Sequence, residues 1–154
     1  MTNMMKVLAL IAVVGGLALA YQCKCRKSAG KTDMAKYARV EKIDAEELKK
    51  QMGSTMDLMV VNVLPQKMFD DCHIKGSHCV PMADLEKTSA QWKKEQEIVV
   101  YCAHIDCPLS ADAFLMLKGL GFTHVKAYEG GIKEWHSKGY PTEGPCEADF
   151  LKKK

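Results

Sequence analysis

Arginine is scarce in this chain: of its 22 basic residues only Arg26 and Arg39 are arginines, and none follows Arg39. A loop that stabilises a phosphoryl transition state relies on a bidentate guanidinium, so the absence argues against phosphatase chemistry at any later site. Strong net charge is also missing. The formal charge is +3, and apart from clusters at Lys24 to Lys31 and Lys152 to Lys154 the lysines are scattered singly or in the pairs Lys49-Lys50 and Lys93-Lys94. Nothing here resembles the basic stripe that nucleic-acid binding requires, and the terminal lysines read as a solvated end. There is no internal repeat and no low-complexity stretch, and 154 residues leave room for one core of roughly 100 to 150 residues. Zinc spacing is lacking as well. Cys72-His73 and His78-Cys79 crowd within eight residues, whereas structural zinc sites separate two ligand pairs. Neither a metal nor a cofactor is expected.

The N-terminus carries the one long apolar run. Lys6 precedes Val7 to Tyr21, which holds no charge. Ala18-Leu19-Ala20 offers a small-residue cleavage site of a secretory signal, while Met4 and Met5 extend the run towards the lower limit of a membrane span if Lys6 snorkels. Lys24, Arg26, Lys27 and Lys31 crowd the C-terminal flank, and the positive-inside rule then favours an uncleaved single-pass anchor with the following domain on the cytoplasmic side. Export after signal cleavage is the alternative. The expected organisation is a signal peptide or transmembrane anchor at 1–22, a polar linker at 23–38, a domain at 39–144 and a polar, basic tail at 145–154.

Strand and helix patterns alternate through the domain. Asp44 and Glu47 stand at capping-box spacing before a helix, with Asp in place of Ser or Thr. Asp57 to Val63 and Ile98 to Tyr101 are continuous apolar runs, as in strands buried on both faces. A helical turn at 66–71, an irregular stretch through Pro81, helices at about 82–94, 109–120 and 130–138, and a strand at 123–128 complete the pattern. Such alternation specifies an α/β fold with a parallel sheet and helices on both faces, whose ligand sites lie at the carboxyl ends of the strands.

Cys102 sits at such an end. It closes the strand Ile98-Val99-Val100-Tyr101 and opens the loop Ala103-His104-Ile105-Asp106-Cys107, with a helix directly behind. Unpaired N–H groups at a helix N-terminus favour thiolate over thiol, so a nucleophilic cysteine of lowered pKa is expected. The loop N–H groups of Ala103 to Cys107 are expected to converge on the sulfur and any bound anion. His104 could hydrogen-bond a ligand or tune the thiol, and Asp106 is expected to point outward or cap the helix. Seven cysteines are many for this length, but the odd number fits neither a disulfide framework nor a zinc pattern.

The active-loop segment resembles that of single-domain rhodaneses, and other segments follow in the same order. Val60-Val61-Asn62-Val63 is similar to that family's "DVR" strand, and His73 to Pro81 to its "HIPGAxNIP" element. Gly119 to Phe122 with Val125 resembles the turn into the next strand, and Tyr128 to Trp135 with Gly139-Tyr140-Pro141 resembles the closing "GGxxxW...GYP" signature. The resemblance spans 39–144 and implies a rhodanese-like three-layer domain. It implies a sulfurtransferase that takes sulfane sulfur from thiosulfate or a persulfide onto Cys102 and passes it to a thiol or cyanide acceptor. It makes His73 and Gly76 parts of a structural turn, and a monomeric domain is expected.

The chain departs from the family at three positions. Relatives often end the loop with Arg, Lys or Thr, where this chain has Cys107, and the missing cation should weaken thiosulfate binding. Cys107 could be a resolving thiol, a second sulfur acceptor or a loop filler without chemistry. Asn62 and Leu64 stand where relatives often carry an Asp and Arg pair. A thiol redox relay through Cys102 and Cys107, and a non-catalytic binding module at the membrane, are the competing readings.

Overall fold

The structure, a computed structural model, describes residues 38–54 and 57–152. The expected signal or anchor and all but the last residue of the linker lie outside the described residues. Among those described, no helix is long and apolar enough to cross a membrane. Arg39–Lys154 forms one compact unit.

Helix α1 (Ala45–Ser54) starts with the first half of the expected capping box: the Asp44 carboxylate accepts the Glu47 N–H at 2.8 Å, while the Glu47 carboxylate turns forward to Gln51 at 2.8 Å, and Ala45 and Leu48 are buried. Strands β1 (Met59–Asn62), β3 (His78–Cys79), β4 (Ile98–Tyr101) and β5 (Val125–Tyr128) form a parallel sheet in the order β3-β1-β4-β5. Lys42 adds a parallel bridge to Ala127 at the β5 edge. All four residues of β4 are buried, which is why its run lacks polar alternation. A short helix α2 (Gln66–Asp71) leads into β2 (His73–Ile74), which pairs antiparallel with β6 (Thr142–Glu143). Helix α3 (Leu85–Ser89) and helix α4 (Leu109–Gly119) pack on each other, and α4 lies on β4 and β5. The opposite face of the sheet is covered by α1, by α5 (Gly131–Ser137) and by a terminal helix α6 (Asp149–Lys152), which share a core with Val60, Val99 and Tyr101.

Three expectations are corrected. The helix at about 82–94 shrinks to α3, after which Gln91 and Trp92 donate to carbonyls three residues back in successive turns. The Ser89 hydroxyl also competes for the Glu86 carbonyl, as serine does near helix ends. The stretch through Pro81 is not wholly irregular, since β3 joins the main sheet; two residues give too short a run for periodicity to show. Finally, the cysteines do hold a bridge, which ties down the tail ahead of the exposed Lys152. Cys146 forms a disulfide with Cys72, across 74 residues of sequence, and Leu151 is buried in the core. Pairing over that separation leaves no local signal, so an odd cysteine count concealed a real bridge.

Candidate active site

Cys102 follows β4 at the carboxyl end of the sheet and is fully buried. Its Sγ donates towards the Cys107 carbonyl at 3.3 Å and the His104 carbonyl at 4.0 Å, and lies 3.4 Å from the Ser110 hydroxyl in the first turn of α4. Burial pushes the thiol up to about 11, the Ser110 hydroxyl pulls it down in part, and the neighbouring Cys107 thiol raises it further. The expected depression towards neutrality is therefore not what this closed arrangement produces. Desolvation of the charge outweighs the helix terminus, and loop carbonyls favour the protonated form.

One of the loop N–H groups differs from expectation. That of Cys107 is committed to the His104 carbonyl at 2.9 Å and closes a turn instead of facing the sulfur. The strand end is held from below by α5: Ile132 and Lys133 donate to the Cys102 and Ala103 carbonyls, both at 3.0 Å. Gly131 permits this approach. Its φ is +65°, and a Cβ there would stand 2.6 Å from the Cys102 carbonyl oxygen.

The other loop residues lie around this centre. Asp106 points outward, with 89% of its side chain exposed and 3.9 Å from the His104 ring, and helix α4 has no side-chain cap. Ile105 is 65% exposed, the one large hydrophobic residue so exposed among those described. Cys107 is a half-buried free thiol. Asn62 and Leu64 are joined without charge: the buried Asn62 side-chain amide oxygen Oδ1 accepts the Leu64 backbone N–H at 2.8 Å. His73 serves structure. It bonds the Phe69 carbonyl at 2.7 Å, stacks on the Phe69 ring and lies 3.3 Å from Glu143, while Cys72 is held in its disulfide.

Two parts of the site escape the sequence reading. Ser110 is fully buried beside Sγ, and the signal that could have found it is a hydroxyl in the first turn of the helix that receives the loop. Phe150 reaches the loop from the far end of the chain, its ring centroid 6.5 Å from that of His104. Between the loop, α5 and α6 lies an open groove of about 990 Å³.

A family model for the Rhodanese-like domain matches residues 44–138, well over half of the chain. Similar proteins include the HTH-type transcriptional regulator Rv0324 of Mycobacterium tuberculosis, 29% identical over 87 residues that cover 56% of this chain. The chain spans only 38% of that regulator's length. A sulfurtransferase of Allochromatium vinosum is 28% identical over 111 residues, 69% of this chain and 97% of that protein. Among solved structures, the BH2092 protein from Bacillus halodurans superposes with a TM-score of 0.66 at 27% identity, covering 71% of this chain and 82% of that one.

Proposed function

The chain belongs to the rhodanese-like domain family, and from that premise we propose that it is a sulfurtransferase carrying the transferred sulfur on Cys102. The observation that carries this reading is a free thiol at the carboxyl end of a central parallel strand, with one hydroxyl placed to donate to its anion. The relative from Allochromatium vinosum, named a sulfurtransferase and covered over nearly its whole length, supports it.

The reaction runs in two displacements. The Cys102 proton leaves to solvent, and the thiolate attacks the outer sulfur of the donor. With thiosulfate the S–S bond of the donor breaks, sulfite departs with the bonding pair, and Cys102 holds a persulfide anion. An acceptor thiolate then attacks the terminal sulfur, takes it as its own persulfide and returns Cys102 as thiolate. No external oxidant or reductant enters either step. The Ser110 hydroxyl, 3.4 Å away, donates to the sulfur whenever it is anionic. Because Sγ is buried under the His104 and Cys107 carbonyls, the loop moves aside as the donor enters. With cysteine in place of a cation at position 107, a persulfide donor suits the loop at least as well as thiosulfate. Thiocyanate formation from cyanide tests the assignment: it should proceed with the wild type and vanish in Cys102→Ser, and transfer surviving in that variant would sink it.

A second reading is favoured by one observation, the Cys107 thiol acting on the Cys102 thiol within one loop. In it, Cys107 displaces sulfide from the persulfide by forming a Cys102–Cys107 disulfide, which an external thiol then reduces. Peptide mapping after a turnover should find the linked pair, and slower sulfide release in Cys107→Ser should accompany it. Equal release by both proteins with no linked peptide leaves the single-cysteine route.

We further propose that the N-terminal segment directs the domain to or across a membrane. The Cys72–Cys146 disulfide supports the exported arm over a cytoplasmic placement, since such bonds persist in oxidising compartments.

A further inference from the structure

Beyond residue 138, where the family match ends, the chain turns back and packs on the domain. Gly144, at φ +98°, turns the backbone against α2 where any Cβ would collide with the Asp71 carbonyl. Cys146 then donates its N–H to that carbonyl at 2.7 Å and bonds covalently to Cys72. The Asp71 carboxylate accepts the N–H groups of Glu147 and Ala148 at 3.2 and 3.1 Å. So anchored, α6 lays Leu151 into the core and Phe150 beside His104.

This segment is one wall of the 990 Å³ groove, whose other walls are the active loop and α5. A cyanide or thiosulfate ion would occupy a small part of it; the volume lies at the upper end of that for small-molecule sites, roughly 300 to 1,000 Å³. Its apolar lining comes from Ile105, Phe150 and Leu151. Lys133 and Lys152 border it and form no ion pair among the described residues. Of the two bordering carboxylates, Glu134 is engaged by the Tyr128 hydroxyl at 3.2 Å and by Lys138 at 3.8 Å, and Asp106 projects into solvent beside His104.

We propose that this groove is the acceptor subsite, built for a thiol with an apolar body and an anionic group, and that the Cys72–Cys146 disulfide holds its outer wall in place. The apolar body lies between Ile105 and Phe150 and the anion meets Lys133 and Lys152; Cys102 is buried behind the loop and is not itself a wall of the groove, so the acceptor thiolate meets its persulfide once the loop has moved aside. The subsite rests on the sulfurtransferase reading of Cys102.

The test compares acceptors on the full chain carrying a preformed Cys102 persulfide. Single-turnover loss of sulfur is followed by intact mass with 4-mercaptobenzoate, with uncharged 4-methylbenzenethiol and with cyanide, the state of the Cys72–Cys146 bond being read from the same spectra. Phe150→Ala and Cys146→Ser should each lower the ratio of the 4-mercaptobenzoate rate to the cyanide rate at least tenfold. Lys133→Ala should lower the ratio of the charged to the uncharged arylthiol. Ratios within twofold of wild type in both Phe150→Ala and Cys146→Ser would overturn the subsite. A second measurement is independent of sulfur transfer: titration of the wild type with 4-methylbenzoate should shift the amide resonances of Ile105, Lys133 and Phe150. No shift at millimolar concentration would also overturn it. If Cys102 never gains sulfur yet these resonances shift, the reading of Cys102 fails while the groove stands.

Discussion

Replacing Ser110 by alanine removes the only side-chain hydroxyl bonded to the Cys102 sulfur among the described residues, at 3.4 Å. The fold should survive, because the loss is one small buried atom. The chemistry should not be indifferent. A hydrogen bond to an ionised group contributes about 1.5 to 3 kcal/mol, and one pKa unit corresponds to about 1.4 kcal/mol. The thiol, already pushed up to about 11, should therefore rise by about 1 to 2 further units. At pH 8 the thiolate population then falls roughly tenfold to a hundredfold. The more basic thiolate is a better nucleophile, with a Brønsted slope of about 0.4 to 0.5, which recovers about half of the loss on a logarithmic scale. Persulfide formation should thus slow about threefold to tenfold, and Ser110→Thr, which keeps the hydroxyl, should lie between the two. The assay is the rate of sulfur gain on the Cys102 peptide with thiosulfate between pH 7 and 10. Superimposable rate–pH profiles for wild type and Ser110→Ala would refute the role given to this hydroxyl.

Other outcomes follow from the same geometry. Because the folded thiol titrates at about 11, alkylation of Cys102 in the resting protein should climb steadily with pH from 7 to 10 without a plateau near 8. The same raised value stabilises the fold fully below the unfolded thiol's pKa of about 8.5 and ceases to do so as pH rises through about 11, so urea midpoints should decline across that window, and less steeply once Cys102 is replaced by serine, the raised Cys79, Tyr101 and Tyr128 supplying the remainder. Gly131→Ala forces a Cβ at φ +65° to within 2.6 Å of the Cys102 carbonyl and should cost about 2 to 5 kcal/mol, measured by urea unfolding; a loss under 1 kcal/mol would refute the close approach. Cell fractionation with N-terminal sequencing should find the full-length product either membrane-bound or exported, with Cys72 and Cys146 linked; a soluble cytoplasmic product with both thiols free would contradict the proposed placement.

Much of the frame was legible because local and global signals agree. The buried runs at Val60 and Val99 lack polar alternation for the reason parallel strands generally do, and Asp44 caps α1 as its spacing specified. Cys102 was placed by its position between an apolar strand and a helix. What could not be read was long-range. The Cys72–Cys146 bond and the packing of Phe150 against the loop join segments that share no periodicity. The state of the thiol was misjudged for a related reason: sequence shows the helix terminus that favours a thiolate, but burial, which outweighs it, exists only in the packed structure. The helix expected past Ser89 failed locally, where the Ser89 hydroxyl and successive tight turns divert the backbone.

The most direct test of the account is the intact mass of the protein after incubation with thiosulfate and, separately, with a low-molecular-weight persulfide. A gain of one sulfur, about 32 mass units, mapped to the Cys102 peptide and absent in Cys102→Ser, is the result expected of a nucleophile that holds sulfur between two displacements. An unchanged mass with both donors, or sulfur retained on another cysteine in Cys102→Ser, would contradict it.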